Sequence, residues 1–306
     1  MTSVTSGMSE LGKVFFIINK YSGTGYEPAI EGRIIDRCGE LGIVCTIQFT
    51  QHSGHATELA KQAVSENFKT VFVMGGDGTI NEAAKGLLNT DTALGILPKG
   101  SGNGLAGHLG ISKNLTRALD LLASHQIISM DTIAINKQLS VNVSGIGFDG
   151  HIAGLFGKNG KRGLINYIRL VIREFGRFKE FPMDITIDGK KTSRDSFILA
   201  FANSSQFGND ARIAPTASVT DQLIDICFIR KVPLLQVFGF AFKMFMGKME
   251  QSEFVDVIKG KKITVELKAP MAFHIDGESH HDEKSFNVEI QPGSLKMIVP
   301  KNFPSF

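Results

Sequence analysis

The stretch VFVMGGDGTINEAAKG, residues 71–86, decides how the rest of the chain is read. Four apolar residues run into Gly75-Gly76-Asp77-Gly78-Thr79, and a helix-like segment follows. Glycines at the end of a buried strand let the backbone come close to something large and negative, as phosphate-binding turns at helix N-termini do. An aspartate in the same turn repels such an anion unless a metal ion lies between them. The turn therefore points to phosphate and a cation together.

The residues on either side carry the same rhythm. KVFFIINK (13–20), IVCTIQFT (43–50), TVFVMGG (70–76) and ALGILP (93–98) are short apolar runs that read as buried strands. Between them, Ile30, Ile34, Ile35, Cys38 and Leu41 fall at helical spacing over 28–42, and Ala56, Leu59, Ala60 and Ala63 do so in a helix that Ser53 caps and that runs to Asn67. Strand and helix in turn predict a parallel, Rossmann-like sheet with ligands at the strands' carboxyl ends. NKYSGTG, GGDGT and KGSGNG all sit at those ends.

After about Asp131 the period changes. DTIAIN, LSVNVSGIGF, MDITID, SFILAFANSS, LIDICFI, KITVELK, AFHID, FNVEIQ and LKMIVP are short runs with turn signals between them, the pattern of an antiparallel β-sandwich. Helical stretches at 163–178 and 234–246 interrupt it. The expected organisation is an α/β nucleotide-binding domain over residues 1–132 and a β-sandwich substrate domain over 133–295, with 296–306 as a segment that can return to the first domain.

Bulk numbers fit this plan. The 306 residues suffice for two domains, and 42% hydrophobic with 21% charged content is ordinary for a globular protein. A net charge of +3 is too mild to indicate nucleic acid, and the chain has no basic stripe. It suits an acidic substrate or an anionic membrane surface. Three cysteines without CxxC spacing read as reduced, buried thiols of a cytoplasmic protein. The first dozen residues hold no apolar core of a signal peptide, and no apolar run reaches bilayer length. GxxxxGK[ST] is absent, which excludes a P-loop, and so is a GxGxxG fingerprint followed by an acid on the next strand, which removes support for a nicotinamide cofactor.

Taken in order, the motifs resemble those of the diacylglycerol kinase catalytic-domain family, which includes bacterial lipid kinases and the sphingosine and ceramide kinases and is related to the NAD kinases. GGDGTINE (75–82) is similar to the family signature. NKYSG (19–23) resembles its N-P-x-[SA]-G turn, with Lys20 where proline is usual. FTQHSGHATELA (49–60) resembles the segment whose threonine, here Thr50, lies near the nucleotide. GILPKGSGNGLAGHLG (95–110) is similar to GIIPxGTGNDxAxxLG, and NVSGIGFDG (142–150) to N-V-A-G-x-G-F-D-A. Residues 202–229 resemble the stretch that carries a structural Mg²⁺, and IDGE (275–278) the late DGE whose glutamate is a proposed general base.

The resemblance implies the NAD kinase/diacylglycerol kinase-like fold, and an ATP- and Mg²⁺-dependent transfer of phosphate to a hydroxyl of a membrane lipid, diacylglycerol-like or a long-chain base. Gly75, Gly76, Gly78, Thr79, Gly100, Ser101, Gly102 and Asn103 are then nucleotide contacts, with Asn19, Ser22, Gly23, Thr50, Asn81 and Glu82 behind them. Asp77 belongs to the Mg²⁺ and phosphate region or takes the proton. Glu278 is the general base, and Asp276 its supporting acid. Asp131 matches a family aspartate near the site. Two departures stand out. The GTGND aspartate is Gly104, and a small residue at that place is also seen in the sphingosine and ceramide kinase branch. The K-x-D-D-G metal loop reads Ser218-Val219-Thr220-Asp221-Gln222, which leaves Asp221 as charged ligand, with Ser218 and the Leu223 backbone carbonyl by position.

The implied partners are a membrane lipid and the inner membrane surface, with no nucleic acid and a homodimer left open. Membrane contact falls to the basic and aromatic helices at 164–181 and 234–246. The alternatives are an NAD-kinase-like enzyme and a non-catalytic nucleotide- or lipid-binding protein of the same fold. His52, His55 and Glu58, and the HHDE run at 280–283, have metal-like spacing but read as solvated residues, the latter in a loop.

Overall fold

The computed structural model describes residues 12–23, 26–158 and 164–304. In chain order the elements are β1 (Lys13–Ile18), α1 (Ala29–Glu40), β2 (Val44–Phe49), α2 (His55–Ser65), β3 (Thr70–Gly75), α3 (Asp77–Leu87), β4 (Ala93–Pro98), α4 (Gly104–His108), α5 (Leu115–Leu119), β5 (Gln126–Ile135), β6 (Gln138–Ser140) and β7 (Val143–Gly147). There follow α6 (Phe148–Lys158), α7 (Leu164–Phe175), β8 (Phe181–Ile187), β9 (Lys190–Ser196), β10 (Ile198–Ala202), β11 (Ile224–Ile229), α8 (Val237–Phe245), β12 (Val255–Gly260), β13 (Lys262–Ile275) and β14 (Glu278–Val299). The chain divides into two compact units. The first takes in the chain up to Gly100, then Leu109–Ser129 and the segment from Ser294; the second holds Ser101–His108 and Met130–Gly293.

In the first unit β4, β3, β1 and β2 lie side by side, all parallel, with Met297 of β14 beside Leu94 of β4. Val14 to Ile18 and all of β3 are buried, because helices cover both faces of such a sheet and the strands must be apolar throughout. The helices turn Ile30, Ile34 and Cys38, then Ala56, Leu59, Ala60 and Ala63, inward as the spacing predicts. α2 and α3 approach through Gly86, where a Cβ would fall 2.6 Å from that of Ala60. Cys45 is only half-buried, so the expectation of three buried thiols holds for Cys38 and Cys227.

The second unit is antiparallel. β12, β11, β10, β7 and β13 run in that order; β8 pairs with β13 and β9, and β14 pairs with β13. Alternation assigns the faces. Leu199 and Phe201 of β10 and Ile224, Ile226 and Phe228 of β11 enter a core with residues of β5, β8, β13 and β14. Ala200, Ala202, Cys227 and Ile229 face the other way, where Phe240 and Met244 of α8 pack against them. This is the expected α/β domain followed by an antiparallel sandwich.

Several elements depart from the sequence reading: α5 and β12 were not expected, and β13 and β14 each join two runs read as separate strands. α6 is one that the reading did not include, since FDGHIAGLFGK carries three glycines. β9 (KKTSRDS) has no apolar alternation because it is an almost wholly exposed strand paired only with β8. The HHDE run is not a loop but part of β14. There the β13–β14 hairpin extends beyond the core, so residues 278–285 are mostly exposed and polar on both faces.

Candidate functional site

The parallel order of the first unit brings three turns to neighbouring strand ends. β1 leads to Asn19–Gly23, β3 to Gly75–Thr79 and β4 to Lys99 and Gly100. Asn19 donates from its side-chain amide to Thr79 Oγ1 at 2.9 Å, and its own Oδ1 accepts from the Tyr21 N–H at 2.9 Å. The Lys99 N–H donates to Gly75 O at 2.9 Å, and that of Ser22 to Asn19 O at 3.3 Å. Gly23 has φ +70°, and a Cβ there would lie 2.0 Å from Lys99 O. At Gly76 it would lie 3.2 Å from Gly100 Cα and from Ser22 Oγ. Only glycine permits turns this close.

Asp77 is the first residue of α3, so the helix begins inside the glycine turn rather than after Thr79, and Asp77 is half-exposed with Gly78. Thr79 and Asn81 are buried. Thr50 is buried at the end of β2, and its N–H donates to Ile18 O at 3.0 Å. Glu82 serves the fold, because its carboxylate accepts from the N–H groups of Gly54 at 2.8 Å and Ala56 at 3.3 Å. It thereby caps α2, where Ser53 was expected and Gly54 stands as cap residue without a side-chain bond.

The chain enters the second unit within the KGSGNG turn. Ser101 is exposed, Gly102 half-exposed, and Asn103 buried with φ +52° in a bridge to Gly208. A Cβ on Gly104 would come within 2.5 Å of Asn142 Nδ2 and 2.6 Å of Phe207 O, so the family's aspartate has no room here. His108, which no sequence motif singled out, accepts from the Ser205 N–H at Nδ1 over 3.1 Å. Burial, with Arg212 near, pushes its pKa down to about 4.

The DGE turn separates its two acids. Asp276 is buried, and its carboxylate accepts from Ser140 Oγ at 2.7 Å and from the N–H groups of Val141 at 2.8 Å and Asn142 at 3.0 Å. Gly277 N–H donates to His274 Nδ1 at 3.1 Å, which fixes the proton on Nε2, 3.1 Å from Asp149 Oδ2. Gly145 makes room for that carboxylate, since its Cβ would lie 1.9 Å away. Glu278, opposite Ile275 at the start of β14, is exposed. Asp276 is thus an anchor of the turn, and Glu278 is the acid that the turn presents. His274 and Asp149 are 125 residues apart, and the FDG motif carried the only sequence hint of Asp149.

The acids of the metal-like loop meet protein donors. Asp131 is buried and accepts from the Gln222 N–H and the Gly293 N–H, each at 2.7 Å. Burial raises its pKa, against those two bonds. Asp221 accepts from the Leu223 N–H at 3.1 Å and from the Lys259 ammonium at 2.8 Å. Ser218 Oγ accepts from the Thr220 N–H at 3.3 Å. Mg²⁺ needs about six oxygens in close octahedral array. An ammonium on the only acid of the expected ligand set does not fit that requirement.

His52, His55 and Glu58 do come together, with potential ligand atoms within 4.8 Å. The rings are stacked at 4.7 Å, and His55 Nδ1 accepts from the Gln51 N–H at 3.0 Å. The His55 proton therefore sits on Nε2, and neither nitrogen of that ring offers a lone pair to a metal.

Comparison with known proteins adds the following. The family model for the diacylglycerol kinase catalytic domain matches residues 13–135, and that for the YegS C-terminal NAD kinase beta sandwich-like domain matches residues 142–299. The chain is 26% identical over 306 residues to the "Probable lipid kinase YegS" of Escherichia coli (strain K12 / DH10B), covering 97% of this chain and 99% of that protein. It is 26% identical over 272 residues to the "Probable lipid kinase YegS-like" of Enterobacter sp. (strain 638), covering 86% and 89%. In fold it is similar to a crystal structure of a putative diacylglycerol kinase from Bacillus anthracis str. Sterne, with TM-score 0.81 and 24% identity over 96% of this chain and 98% of that one.

Proposed function

The chain belongs to the family in which a diacylglycerol kinase catalytic domain is followed by a YegS-type, NAD kinase-like β-sandwich domain, and from that premise we propose that it transfers the γ-phosphate of ATP to a hydroxyl of a membrane lipid. The observation that carries this reading is the packing of three glycine turns at the carboxyl ends of β1, β3 and β4, with Asp77 opening the helix that follows. Backbone N–H groups at the start of α3 suit phosphate oxygens. Asp77 is the residue to hold a magnesium ion on the nucleotide, which when bound supplies neutralisation of phosphate charge. Glu278 takes the proton of the attacking hydroxyl, and the bonds of Asp276, and of His274 with Asp149, hold the turn that carries it.

A kinase of lipids works at a membrane. No helix among the described residues is long and apolar enough to cross one. α8 supplies a means of contact instead. Phe240 and Met244 pack inward, while Phe238, Phe242 and Phe245 are exposed at i, i+4 and i+7, after exposed Leu234 and Leu235. Residues 230–248 carry Arg230, Lys231, Lys243 and Lys248 and no acid. An apolar helix face with cations around it suits the surface of an anionic bilayer. α7 adds exposed Ile172 and basic Arg169 and Arg173; the side chains of Leu164, Ile165, Tyr167 and Ile168, counted in the sequence reading, lie outside the described residues.

The test is transfer of labelled γ-phosphate from ATP·Mg²⁺ to diacylglycerol, monoacylglycerol, ceramide and sphingosine in mixed micelles, and to soluble NAD. Label on one lipid is the expected result. Label on NAD alone would move the chain to the NAD-kinase reading, and no label with ATP still bound would support a non-catalytic member of the fold.

A further inference from the structure

Asp225 of β11 is buried, and neither carboxylate oxygen has a hydrogen-bond partner. Such a group is costly unless a cation stands beside it. The antiparallel register places Lys259 of β12 directly opposite, with its ammonium 3.4 Å from Asp225 Oδ2. The same ammonium lies 2.8 Å from Asp221 Oδ2, in the loop that enters β11. One lysine therefore faces both acids, at the place where the family resemblance calls for a divalent ion.

The rest of the loop is closed by its own chain. The Asp131 N–H donates to Val219 O at 2.7 Å, and the Gln222 N–H returns to the Asp131 carboxylate at 2.7 Å. Gln222 has φ +60°, which turns the backbone so that the Leu223 N–H reaches Asp221. The family's D-D-G pair has lost one acid, so the loop carries less negative charge for a divalent ion to neutralise.

We propose that Lys259 is the resident cation of the Ser218–Asp225 segment, so that this loop takes no divalent metal and the fold of the second unit is independent of one. The inference goes beyond the kinase reading and stands apart from any metal on the nucleotide.

Thermal unfolding of the full chain without nucleotide tests it, in EDTA and in millimolar MgCl₂, with wild type and Asp221→Asn compared. The expected result is that magnesium gives wild type no stabilisation that Asp221→Asn lacks. Lys259→Met melts several degrees lower in EDTA. Magnesium restores part of that loss, and adding Asp221→Asn abolishes the restoration. Lys259→Arg keeps the charge and melts within about 2 °C of wild type, and it carries the test should Lys259→Met not fold. A magnesium stabilisation of wild type or of Lys259→Arg that requires Asp221 would overturn the proposal. So would a Lys259→Met variant as stable as wild type in EDTA.

Discussion

The Asp77 turn and the Asp221 loop both place an aspartate at or shortly before the start of an element, and the sequence reading assigned both to metal or phosphate chemistry, the second with one acid lost. In the first, glycines on three neighbouring turns close on one another and leave Asp77 half-exposed at the head of α3. In the second, a lysine from the adjacent strand sits on the acid. The difference lies in what the fold brings across from distant sequence. Where a lysine of the neighbouring strand neutralises the acid, as at Asp221, the acid holds structure; Asp77 stands half-exposed at the head of a helix, among glycine turns. The DGE turn repeats the lesson two residues apart, with Asp276 held by three donors and Glu278 exposed.

Substitution should separate the two kinds of acid, and the largest effect belongs to the one assigned to phosphate chemistry. Asp77→Asn should cut turnover by about 10³-fold or more, since charge on the phosphates is left unbalanced. The thermal midpoint should stay within about 2 °C, as expected for a surface change. A fall in stability with little loss of rate would place Asp77 with the structural acids.

Next in size is membrane contact. Phe238→Asp combined with Phe242→Asp should weaken sedimentation with phosphatidylglycerol-containing vesicles by roughly 10²–10⁴-fold, the loss expected for two buried phenylalanines. Turnover of a short-chain, water-soluble acceptor should be unchanged. Equal binding by the double variant would remove α8 from the interface.

Asp276→Asn should act on the fold, lowering unfolding free energy by about 2 kcal/mol through mismatched donors, read as a shift in urea midpoint. ATP affinity should not change. Loss of ATP binding at full stability would break the distinction drawn between Asp276 and Glu278.

The smallest effect is one of pH. The folded pKa of His108, about 4, lies below its ordinary 6.5, so the unfolded chain binds the proton more tightly. Stability should therefore be complete above about pH 6.5 and fall as pH drops from there toward 4. His108→Asn should flatten that slope by roughly 1–2 kcal/mol, discounted for partial solvent access. An unchanged pH profile would show that another group carries it.

The first unit was largely legible. Its strands are buried on both faces and read as unbroken apolar runs, and its glycine turns fall where the runs stop. The sandwich was legible as a class, because β10 and β11 alternate between two apolar cores. β9 was not, for a strand with almost no buried face has no pattern to show. At the site, sequence found the turns but not the partners. Glu82 on α2, Lys259 on Asp221 and His274 on Asp149 join residues 26 to 125 positions apart. Strand register and helix packing create those contacts, and no local spacing announces them.

The most direct test of the whole account is labelled γ-phosphate transfer from ATP·Mg²⁺ to micellar lipid by wild type and by Glu278→Gln, with ATP binding measured on both. The account expects label on lipid with wild type. With Glu278→Gln it expects unchanged ATP binding and a rate lower by about 10²–10⁴-fold, the contribution of a general base. Transfer at the wild-type rate by Glu278→Gln would contradict it.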